Sequence, residues 1–158
     1  MAENANIPYE LLDLIRRIAK HLAVAEDVHV ALKQVLEWLA VDGGMNRGVI
    51  ALMSRDGKEV QAQITVEDIP SVRSDRMRYR PGEGVTGKVF ATGTPVYLRE
   101  LDAEDEFLDR SGLRRDLDRS RLSFFCVPIM YQGRVIGTLS VDKERTLSHG
   151  PSEIDFLA

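Results

Sequence analysis

The stretch SFFCVPIMYQGRVIGTLSVDK, Ser123 to Lys143, decides the fold. Two runs of strand-forming residues flank Tyr131-Gln132-Gly133-Arg134, and Gly133 supplies the positive φ that a two-residue hairpin loop needs. In the first arm Phe125, Val127 and Ile129 fall on one face, and Phe124, Cys126 and, past Pro128, Met130 on the other. Both faces are apolar, so this arm is predicted to be a central strand covered on two sides. In the second arm Val135, Leu139 and Val141 share one face, with Ile136, Thr138 and Ser140 on the other. Pro128 offers no ladder hydrogen bond, which predicts a bulge or an edge-facing position there.

Outward from the hairpin, the 158 residues suit one domain with a full hydrophobic core. A net charge of −4 argues against a nucleic-acid grip, which would be basic. The single cysteine, Cys126, sits in an apolar strand; no internal disulfide can form, and a reducing, cytoplasmic setting is expected. The start of the chain lacks the basic and apolar regions of a signal peptide, and no run reaches the ~20 apolar residues of a membrane span.

Residues 1–6 read as a frayed tail. Ile7, Leu11, Leu14, Ile15, Ile18 and Leu22 recur at helical spacing, predicting a helix to about residue 25. Asp27 caps a second helix, 27–40, with Val28, Leu32, Val35, Leu36 and Leu39 on its apolar face. Strands are expected over 48–53 and 59–65 around the turn Ser54-Arg55-Asp56-Gly57. A polar loop over 66–75 leads to the alternating Arg76-Met77-Arg78-Tyr79-Arg80, then a helix over 85–91 closed by Gly93 and a strand over 95–98. From Arg99 to Arg121 fourteen of 23 residues are charged, which predicts a solvated loop with one or two helical turns. Pro151-Ser152-Glu153-Ile154-Asp155 opens a last helix, with Asp155 three residues after Ser152 as in a capping box. That helix is cut short at the chain end, so a fragment of a longer protein is expected.

Gly82-Glu83-Gly84-Val85-Thr86-Gly87-Lys88-Val89 fits the opening of a phosphate-binding loop, but Val89 stands where Ser or Thr should hold magnesium. The glycines serve a tight turn and a close helix-to-sheet approach instead. Arg76, Arg78 and Arg80 share a strand face that either meets an anionic ligand or is simply solvated. Arg110, Arg114, Arg115, Arg119 and Arg121 alternate with Asp109, Asp116 and Asp118, which predicts mutual screening rather than an anion site. His21, His29 and His149 have no metal-ligand spacing, and the carboxylates of Glu104, Asp105 and Glu106 lie in a polar loop. No catalytic constellation, metal or cofactor is expected.

Three stretches in order carry a family likeness: Tyr79 to Val89, Ala91-Thr92-Gly93-Thr94-Pro95-Val96, and Phe125 to Ile129 with Gly133 to Asp142. From about Ile7 onward they resemble GAF domains, most of all those at the N-terminus of nitrogen-fixation regulators among bacterial sigma-54-dependent transcription activators. Phe107-Leu108-Asp109-Arg110 is similar to that group's segment after the second stretch. The resemblance implies an α+β fold: a central antiparallel sheet of five or six strands, terminal helices on one face, and short helices and loops enclosing a pocket on the other. It implies a non-enzymatic sensory domain, 7–158, that restrains or releases an attached ATPase domain. The Asn-Lys-Phe signature of cyclic-nucleotide-binding relatives is missing, and the arginines suit 2-oxoglutarate or another carboxylate.

The candidate ligand-binding residues are Arg78, Arg80, Tyr97, Phe107, Arg110, Phe124 and Cys126. The terminal helices are expected to form a homodimer, with neither nucleic acid nor membrane as a partner. Two alternatives stand beside this reading. One is a ligand-free dimerisation or protein-interaction module. The other is an enzyme of the free methionine sulfoxide reductase type, which would need a reactive Cys126 and a second, resolving cysteine.

Overall fold

Asp27 accepts a hydrogen bond from the Val30 amide at 3.1 Å, and this cap separates the first two helices, α1 (Tyr9–Ala23) and α2 (Val28–Val41). A computed structural model describes residues 9–66, 77–101, 107–148 and 150–158. After α2 the chain forms β1 (Asn46–Met53), β2 (Val60–Thr65), β3 (Arg78–Tyr79), α3 (Gly84–Thr92), β4 (Val96–Leu98), β5 (Leu122–Tyr131), β6 (Arg134–Glu144) and α4 (Ser152–Leu157). The strands make one antiparallel sheet in the order β3-β2-β1-β6-β5-β4. The frayed tail, nearly all of the 66–75 loop, Arg76, the carboxylates at 104–106 and His149 lie outside the described residues.

The sheet carries a layer on each face, as the apolar alternation of β5 requires. On one face Leu11 and Leu14 of α1, Val35, Leu36 and Leu39 of α2 and Phe156 of α4 cover Ile50, Ile64, Phe125 and Val141. On the other, Val85 and Val89 of α3 join Leu101 and Phe107 over Leu98, Leu122, Phe124 and Cys126. Each fully buried side chain of this size contributes about 1.5–3 kcal/mol, so the two layers hold the sheet between them. Gly93 ends α3 with a left-handed φ of 66°. Among the described residues no helix is long and apolar enough to cross a membrane.

Four local expectations need correction. Val28 is exposed, and Ala31 takes its place on the buried face of α2, because the helix leans toward its 31/35/39 stripe. Pro128 pairs with Thr138 beyond Cys126, the last residue of β5 that β4 reaches, in keeping with the edge-facing alternative; the bulge comes one step later, where Ile129 pairs with Gly137 and Met130 with Val135, leaving Ile136 without a counterpart. That extra residue turns Val135 away from Leu139 and Val141, and it packs with Phe90 of α3 instead. The segment 107–118 is turns rather than helix, followed by one 3-10 turn, Arg119–Arg121. Finally, α4 is capped at Pro151 without a side-chain cap bond, so Ser152 is its first helical residue rather than the cap of a capping box. Glu153 fixes this helix instead, fully buried and accepting from Lys143 Nζ and from Ser148 Oγ at 2.8 Å.

Candidate functional site

Opposite the long helices, alternate residues of three strands make the floor of a pocket: Val49 and Ala51 of β1, Thr138 and Ser140 of β6, and Phe124 of β5. Met77, Tyr79 and Thr86 form one side, and Phe107, Leu108, Ser111 and Arg114 descend on it from the loop before β5. Two glycines allow this geometry. Gly82, at φ 82°, turns the chain out of β3, and a Cβ at Gly87 would stand 2.2 Å from the Arg80 carbonyl oxygen, so only glycine lets α3 approach so closely.

The enclosed space is about 20 Å3, enough for a single water and far below the ~300 Å3 of a typical ligand cavity. Arg114 fills it. The residue is only 3 % exposed, with the guanidinium 5.3 Å from the Phe124 ring and 5.5 Å from that of Phe107. Nε donates to Asp142 at 2.6 Å, and Asp109 lies 3.5 Å from Nη1 while accepting the Arg114 amide at 3.1 Å. Asp142 is fully buried and also accepts Arg47 Nε at 2.6 Å, with Arg47 Nη2 on its other oxygen. Arg47 itself lies at φ 48°, in an irregular stretch of the β1–β6 ladder between Asn46 and Val49. Such buried charges persist where each finds oppositely charged, hydrogen-bonded partners, as here.

At the rim Arg110 donates to the Arg78 carbonyl and to Glu83, with its guanidinium 4.7 Å from the Tyr79 ring. The Arg110 hydrogen bond, aided by the Arg80 amide, holds the Glu83 carboxyl below the usual carboxylate range. Burial pushes the Tyr79 hydroxyl up to about 12, against the opposing pull of Arg110 and Arg114. Burial likewise pushes the Cys126 thiol up to about 12, although a hydrogen bond with Thr86 favours the thiolate.

The structure therefore brings together Phe107, Phe124 and, at the rim, Arg110. Cys126 lies in the same apolar cluster but does not line the cavity. Arg78 stands at the sheet edge, 3.2 Å from Glu59, and Arg80 is exposed, its amide donating to Glu83 at 2.9 Å. Tyr97 is on the opposite face, stacked on Phe125 with ring centroids 5.0 Å apart. Arg114 is screened by Asp109, as the alternation of charges predicted, but it is buried rather than on the surface of a solvated loop, the most buried cation of the pocket, and its second carboxylate is the distant Asp142. Asp142 and Arg47 were missed as well. The signal for Asp142 was in the strand period, since an acidic residue following the apolar run of β6 falls on the same face as Thr138 and Ser140.

Among the described residues no cluster of His, Cys, Asp and Glu could hold a metal ion. On the helix face a second, apolar groove of about 490 Å3 runs between α1, α2 and α4, lined by Ile15, Ile18, Leu22, Leu32, Met130 and Leu157 among others.

Comparison with known proteins agrees with this architecture. The chain is similar to the Nif-specific regulatory proteins of Azospirillum lipoferum, 33 % identical over 146 residues, and Azotobacter vinelandii, 33 % identical over 158. These alignments take in 90 % and 95 % of this chain but 23 % and 30 % of the relatives, so the chain spans about a quarter of their length. Among solved structures it resembles the A. aeolicus nlh2 GAF domain in an inactive state, with a TM-score of 0.79 at 24 % identity, covering 93 % of this chain and 88 % of that one. A free methionine-R-sulfoxide reductase from Neisseria meningitidis gives 0.76 at 21 % identity, covering 99 % and 85 %; at such identities the likeness is one of fold. Residues 25–158 match the GAF domain model, and with the six-stranded sheet layered on both faces, the chain belongs to the GAF domain family.

Proposed function

We propose that this domain is the sensory module of a nitrogen-fixation regulator of the sigma-54-dependent type, N-terminal to the ATPase domain that it controls. Its signal is a small carboxylate such as 2-oxoglutarate, taken into the pocket beneath residues 107–114. The observation that carries this reading is Arg114, a buried guanidinium whose partners Asp109 and Asp142 are carboxylates already. A ligand carboxylate offers the same chemistry as Asp109, and Ser111, Thr86, Thr138 and Ser140 supply hydroxyls for its remaining oxygens. The 20 Å3 cavity makes this the closed form: a ligand enters by lifting the 107–114 segment and drawing Arg114 from Asp109 and Asp142 onto itself. The protein is cytoplasmic in this reading and non-enzymatic.

Thermal unfolding with 2-oxoglutarate and related acids tests the proposal. At 100 times its dissociation constant a ligand adds about 2.7 kcal/mol, a rise of roughly 5–10 °C for a chain of this size. The rise should vanish in Arg114→Gln and persist in Arg80→Ala, whose side chain is exposed. No shift with any acid refutes the carboxylate sensor.

A second reading, a homodimer through the helix layer, draws on the apolar groove beside α1 and on the exposure of Leu12, Ile15 and Leu22. Sedimentation showing monomer alone at tens of micromolar would remove it.

A further inference from the structure

Two consecutive residues of β6 carry the buried charges of both faces. Asp142 is fully buried and Lys143 is 6 % exposed. Strand pleating sends their side chains to opposite sides of the sheet. On the pocket side Asp142 accepts from Arg47 and Arg114. On the helix side Lys143 donates to Glu153, the buried residue of the first turn of α4. One peptide unit thus links the carboxylate that anchors the pocket arginine to the ammonium that anchors the last helix.

The geometry points to a two-residue relay: exchange of Arg114 between Asp142 and an incoming anion is transmitted through the Asp142–Lys143 unit to the seating of α4. The inference deepens the sensory reading and rests on it for its purpose, while its physical test needs no ligand. Buried ion pairs tolerate little displacement, because each partner left behind is an uncompensated charge in a dry setting. When Arg114 leaves, Asp142 keeps only Arg47 of these two cations, and the pair must re-seat. The backbone there can yield. The β1–β6 ladder ends at the Asn46–Asp142 pair and is irregular from Asn46 to Val49, where Arg47 holds its left-handed φ. Beyond that pair β6 is held laterally by β5, through Ser123–Lys143 and Leu122–Glu144, so a shift of Asp142 carries Lys143 with it. Glu153 then follows or loses its ammonium, and Phe156, one turn on, sits in the core under the same helix.

A double-mutant cycle on the ligand-free protein tests the relay, using Arg114→Lys, Glu153→Gln and the two together. Arg114→Lys keeps the charge, so through-space attraction between the two sites cancels, while Lys cannot reproduce the guanidinium's contacts with Asp142, Asp109 and the Arg47 carbonyl. Under the relay, the folding equilibrium constant of the double variant departs from the product of the single effects by about fivefold or more. Agreement within about twofold, the usual behaviour of separate sites, overturns it. Should the double variant not fold, Glu153→Gln alone serves. The Arg114 Nε–H resonance should shift and exchange faster in that variant, and an unchanged resonance overturns the relay. Failures of the two readings are separable. A Tm rise with 2-oxoglutarate beside an additive cycle leaves a sensor without this relay. A coupled cycle with no Tm response to any acid supports the relay and removes the carboxylate signal.

Discussion

The thiol of Cys126 is where the proposed sensory reading and the reductase alternative make opposite predictions. Reduction of a sulfoxide by a protein thiol needs a thiolate that a substrate can reach, and a second thiol to resolve the sulfenic acid. Cys126 is the single cysteine of the chain and has no exposed surface. Burial raises its pKa from 9.0 to about 12. At pH 8 a thiol of pKa 9.0 is about one-tenth thiolate, whereas one of pKa 12 is ionised to about one part in ten thousand, a thousandfold difference. Exclusion of the reagent slows reaction further, since the thiol is fully buried in the cluster beneath α3. The assay is disulfide-exchange with a chromogenic aromatic disulfide at pH 8, on native and on denatured protein. The native rate should be at least a thousandfold slower and should track the opening of the fold. A native rate within tenfold of the denatured one would refute the argument, and with it the assignment of Cys126 to the core.

Stability should fall in alkali. The native state keeps the protons of Cys126 and Tyr79 to about pH 12, while the unfolded chain releases them from about 9.0 and 10.0. The unfolded state then binds fewer protons, so stability drops by about 1.4 kcal/mol per pH unit per group above those values, or roughly 4 kcal/mol between pH 8 and pH 11; urea titrations giving a flat profile over that range would contradict it. Gly87→Ala should destabilise by about 1–3 kcal/mol despite alanine's better helix propensity, because its Cβ meets the Arg80 carbonyl oxygen at 2.2 Å. A variant as stable as the parent in the same titration would mean that the turn between β3 and α3 yields freely.

What the sequence made legible was local. The β5–β6 hairpin, the Asp27 cap and the left-handed Gly93 each follow from a handful of neighbouring residues, and each is where the pattern puts it. Failures came where one residue was inserted or where partners were far apart. The bulge at Ile136 reverses Val135, and a similar slip at Gln63 puts Ile64 opposite Ile50 while Ala62 faces Ala51. Strand alternation cannot announce such a slip, since a bulge leaves the composition of the strand unchanged. Arg47 and Asp142 are 95 residues apart, so neither shows its partner locally. Arg114, set in a run of mixed charges, looked like the exposed arginines around it. Tyr97 was readable in principle: Val96 and Leu98 pack in the pocket-side cluster, so the residue between them must face the helices.

The unevenness of the two faces is itself an argument about function. Among the described residues the helix face is mainly apolar, with Lys143–Glu153 as its buried ion pair. The pocket face instead buries Arg114 and Asp142, with Arg47 beside them, at the centre of its aromatic cluster. For stability alone this is a poor choice, because apolar side chains of similar volume in place of a buried ion pair are often neutral or stabilising by about 1–4 kcal/mol. The network adds a discrete alternative that an apolar core lacks: the guanidinium can exchange one carboxylate for another without ever being unpaired. A pocket filled by its own arginine, with Asp109 at the loop and Asp142 at the strand, is thereby poised between two anions rather than between occupied and empty. Under the proposed carboxylate reading, ligand and closed state would compete for one group, and the response would be set by their difference in affinity.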